Sequence, residues 1–305
     1  MLLKKSLMPL NKQNNIPLTV GYALQQAKQQ LENIHNSYLD CLLLLQKATS
    51  FSKEHLIFNP QQTISTQQFK AFFSLIKKRK NHQPIAYLLG YKEFFDLKFF
   101  VNKHTLIPRP DSEILVEQAI KYCQNSLLAK NINILDLCCG SGCLGIAMLK
   151  NIDNASLIAC DINKNAVAMA KKNAKYHLIK KAKFITSDLF DNLNKYTNFF
   201  DIIITNPPYI KTSTISTLQP EVQNFEPFLA LDGKKDGLYF YQQIAKQAKN
   251  FLTAQGNLFA EIGYNQEKSV LKIFLQSQNW QHINSYRDLS GITRVLQFQV
   301  IKATR

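Results

Sequence analysis

The chain has 305 residues, 46% of them hydrophobic, and a formal net charge of +16. That length suggests about two domains, and no run approaches the roughly 20 apolar residues that span a bilayer. Met1 to Leu10 carries Lys4 and Lys5 without a sustained apolar region behind them, so no secretory leader is expected and a cytoplasmic location is. The 37 Lys+Arg against 21 Asp+Glu invite a nucleic-acid partner. The lysines look scattered, however, and the densest patch, Lys77-Lys78-Arg79-Lys80, closes a predicted helix whose C-terminal dipole it would complement. Six cysteines, at 41, 123, 138, 139, 143 and 160, form no C-x-x-C pair and no cluster with zinc spacing. They read as buried packing residues of a reducing compartment, and no metal is expected.

Residues 1 to about 17 read as a loose extension. Val20, Ala23, Leu24, Ala27, Leu31 and Ile34 then recur at helical spacing, with Thr19 as a cap. A second apolar helix runs through Leu39, Leu42, Leu43 and Leu45. A third starts at Ser65, which forms a capping box with Gln68 and leads into Phe69, Phe72, Phe73 and Ile76. Residues 1–85 are therefore expected to form a small helical domain. Phe94 to Val101 is aromatic-rich with partial alternation and predicts a β-hairpin within a linker at 86–107. Pro108-Arg109-Pro110 stiffens the start of the second domain, 108–305. From residue 112 helices and strands alternate, with strands predicted at 133–137, 156–161, 183–187, 200–205 and 256–262 and a final pair at 282–287 and 294–300. Alternation of this kind argues for an α/β fold with a doubly wound parallel sheet.

Two motifs sit at predicted strand ends, where open α/β sheets place their chemistry. Asp136-Leu137-Cys138-Cys139-Gly140-Ser141-Gly142-Cys143-Leu144-Gly145 follows the first strand of the sheet and opens a helix. Gly140, Gly142 and Gly145 match G-x-G-x-x-G, and Asp161 closes the next strand, so a nicotinamide dinucleotide is one candidate ligand. The same free N–H groups at a helix start would equally hold the carboxylate of S-adenosylmethionine, with Asp161 accepting from the ribose hydroxyls. The second motif, Asn206-Pro207-Pro208-Tyr209, follows the strand Phe200–Thr205. Two prolines remove N–H donors and restrict the residues before them. What is left is a stiff turn offering carbonyl oxygens and one side-chain amide, which suits a planar amino group with two hydrogens to place. A nicotinamide enzyme would need a proton donor such as histidine, and no histidine falls near a predicted strand end. S-adenosylmethionine is therefore favoured. In Thr186-Ser187-Asp188-Leu189-Phe190, Asp188 could accept from the adenine amino group and Leu189 pack on its ring; a capping Asp with a core Leu is the plainer reading.

Several separate segments together carry a family resemblance. They are Gln83-Pro84-Ile85-Ala86-Tyr87-Leu88-Leu89-Gly90 with Glu93-Phe94, then Leu106 to Glu113, the N-P-P-Y motif, Phe225-Glu226-Pro227, Ala230-Leu231, Asp236-Gly237-Leu238, Glu261-Ile262-Gly263, and Asp288-Leu289-Ser290-Gly291 with Arg294. From about residue 18 onward the chain resembles the bacterial N5-glutamine methyltransferases that modify peptide chain release factors. The resemblance implies a Rossmann-like methyltransferase sheet with an N-terminal helical domain that docks the protein substrate. It implies methylation of the glutamine in the GGQ motif of class-1 release factors, with nucleic acid not required and a ribosome-associated encounter compatible. Cys138, Cys139, Gly140, Ser141 and Gly142 would contact the methionine end of S-adenosylmethionine, Asp161 the ribose, and Asp188 and Leu189 the adenine. Asn206, Pro207, Pro208 and Tyr209 would hold the glutamine, with Asn206 and Pro207 as the catalytic acceptors and Asn206 also next to the cofactor. The family usually has Gly at the position of Cys138, often Thr at Cys139 and often Trp at Leu189. The competing expectation is a DNA or RNA N-methyltransferase acting on an exocyclic base amino group, since its acceptor site is chemically equivalent and +16 suits a phosphate backbone.

Overall fold

A computed structural model describes residues 17–127 and 131–301, so the expected N-terminal extension lies outside the described residues except at its last position. The chain divides into two compact units between Gly90 and Tyr91.

The first unit is helical. It contains α1 (Val20–Gln30), α2 (Ser37–Thr49), α3 (Lys53–Phe58), α4 (Thr66–Lys80) and α5 (Ile85–Leu89). The caps act as the sequence suggests. Thr19 accepts from the Tyr22 N–H, and Ser65 and Gln68 form the reciprocal capping box. Val20, Ala23, Leu24, Ala27 and Leu31 are buried against Leu42, Leu44, Leu45, Phe72 and Ile76. Two short helices escape the periodicity argument because neither spans two full turns. The basic patch is not a uniform surface feature. Arg79 is 4% exposed, and its Nε donates to Asp40 Oδ2 at 2.6 Å.

The second unit begins with the hairpin β1 (Tyr91–Phe94) and β2 (Leu97–Phe100), so the hairpin counts with this unit. Phe95 and Asp96 turn it with φ of 51° and 57°, as a two-residue hairpin requires. There follow α6 (Glu113–Ser126), β3 (Ile132–Leu137), α7 (Cys143–Asn151), β4 (Ala155–Asp161), α8 (Lys164–Tyr176), β5 (Ala182–Thr186) and β6 (Phe200–Thr205). Three short helices, α9 (Thr212–Ile215), α10 (Pro220–Phe225) and α11 (Phe228–Leu231), precede α12 (Tyr239–Gln247), β7 (Leu252–Glu261), α13 (Glu267–Gln276), β8 (Trp280–Arg287) and β9 (Thr293–Val300). The seven-stranded sheet has the order β5-β4-β3-β6-β7-β9-β8. The first five strands are parallel, and β9 runs antiparallel between β7 and β8. One face of the sheet packs on α6, α7 and the hairpin residues Phe94 and Phe99; the other packs on α12 and α13 through Tyr241, Ile244, Val270 and Phe274. Residues 134–137 and 200–205 are buried on both faces, which is why those strands read as continuous apolar runs.

Candidate active site

The strand order makes the geometry. The chain leaves β3 for β4 and β5 on one side, then returns to place β6 on the other, so the β3/β6 boundary is a topological switch point with a crevice at its carboxyl end. Leu137 of β3 pairs with Thr205 of β6 and with Cys160 of β4. The glycine turn after Leu137 and the N-P-P-Y turn after Thr205 therefore leave adjacent strands at one level. Asp161 pairs with Thr186, which sets Asp188 and Leu189 at the same edge.

A cavity of about 230 Å³ opens there. Of the residues singled out in the sequence, Cys138, Cys139, Gly140, Ser141, Asp161, Asp188, Leu189, Asn206 and Pro208 line it; Gly142, Pro207 and Tyr209 do not. Gly142, at φ 78°, caps α7, and a Cβ there would stand 3.0 Å from the Ala170 Cβ. Pro207 is buried, and Tyr209 is half-buried against the core beneath α12. His104 also stands on the wall, although it lies away from the predicted strand ends where no histidine was expected. The loop after the hairpin brings it there, and its carbonyl accepts from Asn163 Nδ2 at 3.3 Å. A reading confined to strand ends could not place a histidine delivered by a loop.

The acidic groups are held by backbone. Asp161 Oδ2 accepts from Gly140 N at 2.9 Å and Oδ1 from Asn163 N at 2.8 Å, and burial raises its pKa. Each oxygen keeps a lone pair for a further donor. Asp136 Oδ2 accepts from Gly145 N at 2.9 Å; burial pushes this carboxyl up to about 7. Cys138 sits at φ 63°, a left-handed conformation that suits glycine, the residue the family resemblance implies there. Burial raises its thiol well above the ordinary range, as it does for Cys139, so neither is a ready nucleophile.

Around Asn206 the structure adds groups that the motif alone did not reveal. Asn206 Nδ2 donates to Ser112 Oγ at 3.3 Å, which leaves Oδ1 as the free acceptor of the amide. Glu261 ends β7 one position beyond the Thr205–Ala260 pair, beside Asn206. It is 2% exposed, and its Oε2 has no hydrogen-bond partner. Burial pushes its carboxyl up to about 7, against the opposing pull of Ser112, Arg294 and Asn206. Arg294 in turn pairs with Asp111 and Asp288, both at 2.8 Å. The Tyr209 backbone is fixed by Gln266, whose Nε2 donates to the Tyr209 carbonyl at 3.0 Å. Gly237, at φ 75°, admits that carbonyl where a Cβ would lie 2.4 Å from it. Finally, Glu226 pairs with Arg109 and accepts from Ile107 N at 3.1 Å, joining two of the segments that carry the resemblance across the cavity mouth.

The chain is similar to known proteins over most of its length. Residues 22–90 match the model of the PrmC N-terminal domain, and residues 112–225 that of the methyltransferase small domain. The chain is 39% identical to the release factor glutamine methyltransferase of Clostridium botulinum, over 87% of this chain and 93% of that one. The chain belongs to the release factor glutamine methyltransferase family. It is also 36% identical to the bifunctional methyltransferase of Rickettsia felis, over 94% of this chain. That alignment takes in 59% of the Rickettsia felis protein, so the chain spans little more than half the length of such relatives. Among solved structures, the hMettl16 catalytic domain in complex with the MAT2A 3'UTR hairpin 6 superposes with a TM-score of 0.55 at 15% identity, over 74% of this chain and 85% of that one. At that identity the likeness concerns the fold alone. Cys138 and Leu189, where the resemblance implies Gly and Trp, both line the cavity. Among the described residues no helix is long and apolar enough to cross a membrane.

Proposed function

We propose that this chain transfers a methyl group from S-adenosylmethionine to the side-chain amide nitrogen of a glutamine in a peptide chain release factor. The observation that carries the reading is the pairing of Leu137 with Thr205, which sets the glycine turn and Asn206 side by side on one cavity. The names of the relatives support the same substrate.

The residues present fit S-adenosylmethionine. Ser141 Oγ is buried without a partner next to the turn, Asp161 retains acceptor capacity for a diol, and Leu189 gives an apolar surface beside the exposed Asp188. When bound, S-adenosylmethionine supplies an electrophilic sulfonium methyl. The turn at 138–141 would hold its methionine end, Asp161 its ribose, and Asp188 with Leu189 its adenine.

A glutamine amide is a poor nucleophile because its lone pair is delocalised into the carbonyl. Asn206 Oδ1 and the Pro207 carbonyl would each accept one amide hydrogen, localising that lone pair and aiming it. Alignment of this kind can lower a barrier by up to about 7–11 kcal/mol. Acceptors poised where positive charge develops on nitrogen add electrostatic stabilisation. With its own proton directed to Glu261, Ser112 Oγ would accept from Asn206 Nδ2 and so leave Oδ1 to the substrate. The extra proton leaves after transfer, so no strong base is required. The helical unit would dock the protein substrate, and a cytoplasmic encounter, on or off the ribosome, is compatible with this chemistry.

The test is to offer labelled S-adenosylmethionine with purified release factor, DNA or ribosomal RNA in separate reactions. Label should enter the release factor and disappear when its glutamine is replaced. Label entering nucleic acid instead would move the assignment to a base amino group.

A further inference from the structure

The charge of this chain is not evenly spread. Residues 91–305 hold 26 Lys+Arg and 18 Asp+Glu, and seven of those lysines but none of those carboxylates lie within 162–187. The remainder of 91–305 is nearly neutral. The seven are Lys164, Lys171, Lys172, Lys175, Lys180, Lys181 and Lys183; all are exposed, and among the described residues none forms an ion pair. They lie on α8, the loop after it, and β5, which is the outer strand of the sheet.

Two ordinary explanations cover part of this edge. Lysines on an outer strand deter pairing with other chains, which accounts for Lys183. A lysine in the last turn of a helix complements its dipole, which accounts for Lys175. Neither explains Lys164, Lys171, Lys172, Lys180 and Lys181. The row continues onto the hairpin. Lys172 Nζ stands 4.2 Å from the centre of the Phe100 ring and Lys98 Nζ 3.9 Å from that of Tyr91, contacts that hold ammonium groups in place at the surface. Tyr176, 51% exposed, sits among them.

We infer that α8 and β5 form a docking edge for the phosphate backbone of RNA. Lys164 to Lys175 alone covers about 16 Å along the helix, at 1.5 Å per residue, so a polymer with regularly repeated phosphates meets several ammonium groups at once. Every cation in the segment is lysine. A hydrated point charge on a flexible stem suits sequence-independent phosphate contact better than the fixed, bidentate pairing with carboxylates that arginine provides. Tyr176 adds a face on which an unpaired base can stack. The edge begins at Lys164, next to Asn163 on the cavity wall, so a bound RNA would lie beside the reaction site without entering it.

Fluorescence anisotropy with a labelled RNA hairpin, measured on the full chain over a salt series, tests the inference. The variant Lys171→Glu/Lys172→Glu/Lys175→Glu should weaken binding at least tenfold. It should also lower the slope of log affinity against log salt by about 2, at roughly 0.7–0.9 per lost phosphate contact. The control Lys246→Glu/Lys268→Glu/Lys272→Glu changes net charge equally on exposed positions elsewhere and should weaken binding less than threefold. A Gln series at positions 171, 172 and 175 gives the same comparison without charge reversal should the Glu variant misfold. Methylation of isolated release factor should be unchanged in these variants. Equal losses in the two triple variants would overturn the inference in favour of bulk charge. Displacement of the RNA by poly-glutamate at equal charge concentration would overturn it in favour of an acidic protein.

Discussion

Asn206 illustrates how a single orientation decides a chemistry. Its amide nitrogen is committed to Ser112, so the oxygen is the atom left to face a substrate. Asn206→Ala should lower turnover by about 10²–10³, as loss of one preorganised hydrogen-bond partner does elsewhere, while S-adenosylmethionine affinity by calorimetry stays within a few-fold. Turnover close to wild type would remove Asn206 from the mechanism. Behind it, Ser112 accepts best from Asn206 when its own hydroxyl can donate to an ionised Glu261. With that carboxyl titrating at about 7, turnover should fall as pH drops through neutrality. Glu261→Gln should flatten that limb of the pH profile, and an unchanged profile would exclude the relay. The place of Asn206 on a donor-poor turn at a strand end was legible in the sequence because two prolines strip donors from that turn. Ser112 and Glu261 were not, since each is an ordinary polar residue until the β6–β7 register sets 261 beside 206 and the turn at 110–112 brings Ser112 against Asn206. Cys138 lies between these cases. Its position in the turn was legible, its left-handed backbone was not. Cys138→Gly should leave thermal stability within about 1 kcal/mol, because relief of the left-handed strain offsets the added chain entropy; a larger loss would mean that the thiol packing matters more than the backbone.

Elements were legible wherever periodicity ran long enough. The caps at Thr19 and Ser65 and the buried runs of β3 and β6 mark their own boundaries. The five-residue helix at 85–89 and the antiparallel insertion of β9 between β7 and β8 were beyond reach. The first is shorter than the period needed to detect it, and the second depends on non-local pairing. The basic run at 77–80 shows the limit of charge counting, for Arg79 faces inward to Asp40. Removing one partner of a buried ion pair costs about 3–5 kcal/mol. Asp40→Ala should therefore destabilise the helical unit by that order in denaturant melts followed by circular dichroism, whereas a loss under 1 kcal/mol would show the pair to be solvated in solution.

At the scale of the whole molecule, two fully buried carboxyls, Asp136 and Glu261, are pushed up to about 7 by desolvation. Their folded pKa values exceed the unfolded ones, so between about pH 4 and pH 7 the folded state holds protons that the unfolded state releases, and this contribution to stability declines as pH rises. The melting temperature of Glu261→Gln relative to wild type should accordingly increase between about pH 5 and pH 8; a constant difference would refute the assigned protonation. The central claim concerns where an amino group is held. A crystal structure with S-adenosylhomocysteine and a glutamine-containing release factor fragment tests it most directly. The amide nitrogen should lie about 3 Å from both Asn206 Oδ1 and the Pro207 carbonyl, facing the sulfur. A glutamine seated away from these two oxygens, with the sulfur on the far side of the cavity, would contradict the account.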